Sequence, residues 1–360
     1  MRVSLAGYRL AAISLVVALN VTTWAAEPSA GKTTPPGADK VKVDAQTERV
    51  IEGSLKWLAQ QQRIDPKDKD VGYWGTSREE SRYPIAMTGY TLMAFMAAGN
   101  LPGEGKYGKV VTLGMNYLLK TINEDTGIFG ANAQGQYMYG HGVATIALAE
   151  LYGQTKDPNI RKKLQSVVNR IVASQNSQGG WRYRPVKRDA DISVTVLQCV
   201  ALRAAKNSGI DVPQKSLDNA VKYVKACFNP ASGGFSYQPG SSPGFARTAA
   251  AIYSLQVCGL YDDDWVKSGS RYLLNHYNEN QEWYVYGNFY AAPAQYMQGG
   301  AVWSKWYGTI KKDILKKSRR QGDMYRWDNV GRGGVGPIFS TSVFTMILAM
   351  PYHYIPLYQR

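Results

Sequence analysis

The chain predicts an all-α fold: about six helical hairpins closed into a ring, with inner and outer helices. Three observations predict it. First, a unit of helix, turn with glycine and aromatic, and second helix recurs at about fifty residues, a period typical of repeat architectures. Second, the first helix of each unit carries one apolar stripe, while the second is apolar on most sides, as a helix enclosed by protein must be. Third, the chain ends in Pro351-Tyr352-His353-Tyr354-Ile355-Pro356-Leu357-Tyr358, where an open stack of hairpins would need a polar capping repeat. That apolar tail has to pack, and closing the ring onto the first unit gives it a place.

The elements follow in order. Arg2 and Arg9 flank the start of an apolar run, Leu10 to Leu19, and Thr23-Trp24-Ala25-Ala26 supplies small residues for cleavage. Residues 1–26 therefore read as a secretory signal cut near Ala25 or Ala26, with a run too short to span a membrane comfortably. The expected destination is periplasmic or extracellular. Residues 27–45 hold Pro28, Gly31, Pro35, Pro36 and Gly37 with little apolar content and are expected to form a flexible linker. Residues 46–360 carry the hairpins. Unit one pairs Thr47–Gln62 with Pro84–Ala98 across Gly72-Tyr73-Trp74, and unit two pairs Tyr107–Ile122 with Gly142–Tyr152 across Asn123 to Phe129. Unit three pairs Asn159–Gln175 with Asp191–Ala205 across Gly179-Gly180-Trp181, and unit four pairs Gln214–Phe228 with Ala246–Cys258 across Gly233-Gly234-Phe235. Unit five pairs Asp264–Tyr277 with Phe289–Met297 across Trp283, and unit six pairs Val302–Lys317 with Phe339–Ala349 across Trp327. In unit three, Leu164, Val167, Val168, Ile171 and Val172 fall at three- and four-residue steps between Lys162, Lys163, Gln165 and Arg170, which is one buried stripe. Ile192, Val194, Val196, Leu197, Val200 and Leu202 instead nearly encircle their helix.

The formal net charge of +15 favours anionic surfaces, either a membrane or an acidic polymer. No nucleic-acid motif accompanies it, so nucleic acid is not an expected partner. Cys199, Cys227 and Cys258 form neither a metal-ligand spacing nor a disulfide framework and read as small buried hydrophobes. Export would permit one bridge, Cys199 to Cys258, because both fall late in apolar helices of neighbouring units.

At its turns the chain resembles the prenyltransferase and squalene-cyclase repeat superfamily. Gln175-x-x-x-Gly179-x-Trp181 matches that superfamily's Gln-x-x-x-Gly-x-Trp repeat in full. Asn123-x-x-x-Gly127-x-Phe129 and Asn229-x-x-x-Gly233-x-Phe235 match it with Asn for Gln and Phe for Trp. The resemblance runs from Gln46 to Arg360 and implies a closed α/α toroid. Tyr139-Gly140-His141-Gly142, the stretch Asp189 to Thr195, Phe245 to Ala250 and Tyr354-Ile355-Pro356 are similar to exported single-toroid proteins of bacteria. The glycine permits a tight exit from the outer helix, the aromatic covers the helix end, and the Gln satisfies orphan backbone groups there. Trp181, Phe129 and Phe235 are accordingly scaffold.

The candidate functional residues sit where inner helices begin. Asp191, Asp189 and His141 are the candidate catalytic groups, and Tyr139, Tyr183, Phe245, Arg247, Tyr286, Asn288 and Tyr290 are candidates for lining a substrate site. Asp189 or Asp191 also suits a helix N-cap, and Arg247 would make a structural partner for Asp191. Squalene cyclases protonate an alkene with an Asp-x-Asp-Asp motif. Asp189-Ala190-Asp191-Ile192 keeps its first and third positions, which implies Asp191 as the acid, with tyrosines shielding the cation. The motif is incomplete, and this chain has one toroid where those enzymes have two helical domains. Protein prenyltransferases hold zinc through an Asp-x-Cys pair, which is missing here, so no metal or other cofactor is expected. Asp262-Asp263-Asp264 reads as an N-cap rather than a magnesium motif. Three functions stay open: a protein that binds or cyclises an isoprenoid or other hydrophobic molecule, a non-catalytic scaffold for a lipid, peptide or protein, and an acidic-polysaccharide lyase. In the lyase, Tyr or His would act as base and Arg or Asn would neutralise a uronate.

Overall fold

Twelve α-helices follow one another in pairs in the computed structural model, which describes residues 34–359 except 76, 78, 131–134, 136, 280, 281 and 332–334. The signal expected at the N-terminus lies outside the described residues. In chain order the helices are α1 (Ala45–Gln60), α2 (Pro84–Ala97), α3 (Gly108–Thr121), α4 (Tyr137–Thr155), α5 (Pro158–Ser174) and α6 (Ile192–Ser208). They continue as α7 (Gln214–Ala226), α8 (Phe245–Val257), α9 (Asp264–Asn275), α10 (Tyr284–Gln298), α11 (Gly300–Lys317) and α12 (Pro337–Ala349). Three two-stranded antiparallel ribbons bridge outer to inner helix in units one, two and six: β1 (Arg63–Asp65) with β2 (Asp68–Tyr73), β3 (Ile122–Asn123) with β4 (Ile128–Phe129), and β5 (Arg319–Gln321) with β6 (Met324–Arg326).

The even-numbered helices form the inner ring. Each packs on the next, α2 on α4 and so on to α12, which packs back on α2. Each odd-numbered helix lies outside, between its own partner and the inner helix of the preceding unit, with α1 wedged between α12 and α2. The burial pattern is the one the periodicity dictates. Ile160, Leu164, Val167, Val168 and Ile171 of α5 are fully buried while Arg161, Lys162 and Asn169 face solvent. In α6, by contrast, fourteen of seventeen residues are buried.

Repeated turn chemistry holds each pair. The indole N–H of Trp74, Trp181 and Trp327 donates to a carbonyl in the last turns of its own outer helix, Leu58, Ile171 and Ile314, each at 2.7 Å. The backbone N–H of the same aromatic meets a threonine hydroxyl in the first turns of the inner helix: Thr88, Thr195 or Thr341, and Thr248 for Phe235. Each tryptophan thus bonds a carbonyl in the last turns of its outer helix and ties the two helices together. Gln175 bonds the carbonyls of Gly179 and Ser216, both at 2.8 Å, linking its turn to the next outer helix. Gly179 adopts φ +96°, and a Cβ there would collide with the Asn219 carbonyl oxygen, so the turn needs glycine. Unit five departs from the pattern. Trp283, expected as its buried aromatic, is 48% exposed, and at the end of α9 His276 stacks on Tyr272 with ring centroids 3.8 Å apart.

Glu80 closes the ring. Its side chain is completely buried, and Oε1 accepts from the backbone N–H of Ile338 at 2.7 Å and Phe339 at 3.1 Å. A carboxylate from unit one thereby caps the N-terminus of the last inner helix, where the helix dipole favours negative charge.

The C-terminal tail goes elsewhere than expected. Instead of sealing unit one against unit six, it turns into the ring's axis. Leu357 and Tyr358 lie among Met93, Ile146, Leu197, Val200, Tyr253 and Pro293, which come from five of the six inner helices. Tyr354 also meets unit one, its ring lying against Gly99. At the other terminus, residues 35–44 of the segment expected as a linker lie along α11: Ala38 is fully buried, Gly300 N–H donates to Pro36 O at 2.7 Å, and Lys311 pairs with Asp44 at 2.7 Å. Cys199, Cys227 and Cys258 are free thiols, the first two buried, and the sulfurs of Cys199 and Cys258 touch at 3.5 Å.

Candidate functional site

The inner helices begin on one face of the ring, and Asp191 sits there as the N-cap of α6. Its Oδ1 accepts from Val194 N–H at 2.9 Å and from the Ser193 hydroxyl at 2.6 Å. Ser193 has one hydroxyl proton and spends it on Asp191, so the contact between Tyr139 Oη and Ser193 Oγ at 2.6 Å must be donated by Tyr139. The result is a chain, Tyr139 to Ser193 to Asp191. Asp191 itself is fully buried, and its Oδ2 makes no hydrogen bond but faces Arg182 Nε at 3.5 Å. Burial pushes its pKa above the usual carboxylate value, against the pull of Ser193, Val194, Tyr237 and Arg182.

Arg182, not Arg247, is therefore the cation at Asp191. It also bonds Asp189 at 2.5 Å and lies 5.1 Å over the Tyr183 ring. Arg247 turns back to the Ser242 carbonyl at 2.6 Å. Tyr183 stacks on Tyr139 at 6.0 Å and shares a 2.6 Å contact with the hydroxyl of Tyr237. Tyr286 reaches from α10 to the Ser193 carbonyl at 3.1 Å. Tyr286 and Tyr290 meet edge to face at 4.9 Å, and Phe289 meets Tyr90 the same way at 5.2 Å. The structure thus brings together Asp189, Asp191, Tyr139, Tyr183, Tyr286 and Tyr290. Sequence reasoning missed Arg182, Ser193, Tyr237 and Tyr90. Arg182 and Ser193 flank residues already singled out, which was the available signal.

Besides Arg247, three candidates stand outside this group: His141, Asn288 and Phe245. His141 is on α4 but faces outward to α5. Its Nε2 is 3.1 Å from the Val167 carbonyl, an acceptor, so Nε2 carries the proton, and Nδ1 accepts from Tyr137 Oη at 3.0 Å. The imidazole is completely buried, and burial lowers its pKa to about 4. Asn288 is also fully buried, its amide bonded to Tyr284 O at 2.9 Å. Phe245 opens α8 and packs edge-on to Tyr277 at 6.3 Å. The expected central cavity is filled as well. Below the tyrosines, the tail and the inner helices leave a void of only about 10 Å³, at or below what a single water needs.

The profile of the prenyltransferase alpha-alpha toroid domain matches residues 38–289. The chain belongs to this family. Among solved structures the toroid is shared widely, in the following cases at low identity. A glycoside hydrolase family 76 mannosidase from Bacteroides thetaiotaomicron is 11% identical with a TM-score of 0.59, covering 85% of this chain and 98% of that one. A cellobiose 2-epimerase from Bacillus thermoamylovorans is 12% identical, TM-score 0.59, covering 83% and 98%. A type II terpene cyclase from Scytonema, solved with geranylgeranyl dihydroxybenzoate, is 12% identical, TM-score 0.55, covering 86% and 98%. No curated protein matches the chain in sequence. These likenesses show the fold, which terpene cyclases share with sugar hydrolases and epimerases.

In this prenyltransferase-type toroid Asp191 carries structure whatever else it does, and substitution separates its parts. Asp191→Asn keeps an acceptor for Val194 and Ser193. Arg182, 28% exposed, retains Asp189 and water. The expected loss is about 1 kcal/mol. Asp191→Ala removes the cap and leaves the Ser193 hydroxyl and Val194 N–H unpaired, an expected loss of about 2–3 kcal/mol. Urea melts of the two variants check the order; an Asn variant that loses more than the Ala variant would refute it.

Proposed function

We propose that the protein binds an acidic carbohydrate across the tyrosine-rich face where the inner helices begin, as an exported binding protein. The supporting observation is the filled axis. With a void of about 10 Å³ among the described residues of the axis, a ligand approaching the inner ring would meet the polar and aromatic groups of the mouth. Tyr139, Tyr183 and Tyr237 offer ring faces and hydroxyls there, an amphipathic surface suited to sugars. The loop that holds Arg182 adds Arg184, Lys187 and Arg188, all exposed and without an ion pair among the described residues. They supply attraction for a polyanion. Two structural neighbours are named for sugar chemistry, which supports the reading without assigning a substrate. The secretory pattern of residues 1–26 would place the protein among such polymers.

The competing readings require more. An isoprenoid in the axis needs Leu357 and Tyr358 to leave it. A lyase needs a base, and burial pushes the Tyr139 pKa up, so at neutral pH this hydroxyl is a hydrogen-bond donor. Calorimetry with polygalacturonate, against dextran as the neutral control, tests the proposal. The triple variant Arg184→Ala, Lys187→Ala, Arg188→Ala should weaken polygalacturonate binding about tenfold or more, the equivalent of roughly 1.4 kcal/mol. Equal binding to dextran, or unchanged affinity in the variant, would overturn the reading. So would an isoprenoid extracted stoichiometrically from the native protein.

A further inference from the structure

A surface depression on the outer wall shares no lining residue with the mouth. It has a volume of about 750 Å³ and runs between α11 and the segment joining α9 to α10, within the range of ligand sites. One wall is a single stripe of α11. Lys305, Thr309, Lys312 and Lys316 stand at i, i+4, i+7 and i+11, and all four are exposed. At helical rise this stripe is about 16 Å long. The opposite wall holds Tyr277 and Asn278.

The charges do not cancel. Asp313 is the one carboxylate among the described lining residues, and it is taken by Lys317 and by the Tyr284 hydroxyl. Lys317 also covers the Tyr284 ring, 4.9 Å from its centroid. Lys305, Lys312 and Lys316 have no ion pair among the described residues, so three cations line a concave strip beside the hydroxyls of Ser304 and Thr309. A solvated helix face normally spreads its lysines over a convex surface. Here Gly308 leaves the wall open: a Cβ added there meets nothing within 4 Å.

We propose that this groove is a second binding site, for a linear acidic oligosaccharide whose carboxylates or sulfates meet the three lysines and whose hydroxyls meet Ser304 and Thr309. A concave strip does not suit a planar membrane. Hydroxyl partners beside well-separated cations suit a sugar acid better than a phosphodiester chain. The inference does not rest on the mouth reading, because the two sites share no residue.

Two variants test it by different physics. Lys305→Gln, Lys312→Gln, Lys316→Gln removes the charges from exposed positions. Gly308→Phe leaves the charge untouched, fits the open space, suits a helix better than glycine and fills the groove. Titration of the full chain with a defined oligogalacturonate should show one equivalent lost in each variant, while the Arg184, Lys187, Arg188 variant retains it. A control replacing the distant Lys206, Lys215 and Lys222 by Gln should retain it too. If the Gly308→Phe protein binds as tightly as the parent, or the distant control loses as much as the groove variant, only net charge is at work and the site is refuted. Preference for an oligonucleotide or for anionic vesicles over the oligosaccharide would refute the ligand class.

Discussion

Tyr358→Ala is expected to lower stability by about 3–5 kcal/mol, the usual effect of truncating a fully packed aromatic. Only 6% of Tyr358 is exposed, although it lies two residues from the chain's end. A terminal residue normally frays at little cost. This one is the centre of the ring. It packs with Leu357 against side chains of α2, α4, α6, α8 and α10, and its hydroxyl meets Met346 Sδ of α12 at 4.0 Å. The Leu357 N–H also reaches the buried Glu150 carboxylate at 3.4 Å, so the tail is anchored by a polar contact as well as by area. The space left by the phenol, on the order of 100 Å³, is lined mainly by apolar side chains. The variant should therefore take up xenon or a small aromatic that the parent excludes. Guanidinium melts and ligand-induced stabilisation measure both effects. A loss under about 1 kcal/mol would mean that the tail is not seated in the axis. The same variant bears on function: it creates the hydrophobic chamber that an isoprenoid reading requires and that the parent lacks.

The architecture was legible because periodicity reports burial directly. One stripe against all-round apolarity separated outer from inner helices in every unit. The six pairs stand where they were expected, with inner-helix starts misjudged most in units two and five. There α4 and α10 each begin five residues earlier than expected, at Tyr137 and Tyr284. Gly140 and Gly287 had fallen outside the expected helices, and Gly142 at the start of one. At Gly142 the glycine instead admits close packing: an added Cβ would lie 2.7 Å from Leu197 Cβ. That misreading carried His141 and Asn288 into the candidate site, because a residue inside the first turns of a helix points where the helix face dictates. The cation at Asp191 was missed for a different reason. Arg247 and Arg182 are equally plausible by spacing, and only the path of the loop after Trp181 decides between them. Glu80 had no local signal at all. Its partner helix lies 258 residues on, and a single carboxylate in a loop says nothing about which helix end it will meet. The apolar tail had to be buried, but sequence alone did not tell a seal at the ring's seam from a plug in its axis.

His141 should make the fold acid-sensitive over a defined window. Its folded pKa of about 4 lies below the usual histidine value of 6.5, so the native state resists a proton that the unfolded chain accepts. The contribution is complete above about pH 6.5. It is lost progressively as pH falls towards 4, and below that both states are protonated and the loss levels off. The full difference corresponds to about 3 kcal/mol, of which about 2 should be gone at pH 5. The cause is geometric. Protonating Nδ1 breaks the bond it accepts from Tyr137, whose oxygen already accepts from Phe129 N–H at 2.7 Å, and no carboxylate contacts the ring to stabilise the imidazolium. Urea denaturation at pH 7, 6 and 5 should show this slope in the parent. His141→Gln should be less stable at pH 7, by about 2 kcal/mol for imperfect replacement of two buried hydrogen bonds. It should also have a flatter profile, so that the two curves converge towards pH 5. Parallel curves would mean that another group carries the acid sensitivity. The substitution separates scaffold from chemistry as well: an imidazole turned towards α5 cannot exchange a proton with a ligand at the mouth, so polygalacturonate affinity at pH 7 should be unchanged in the folded variant.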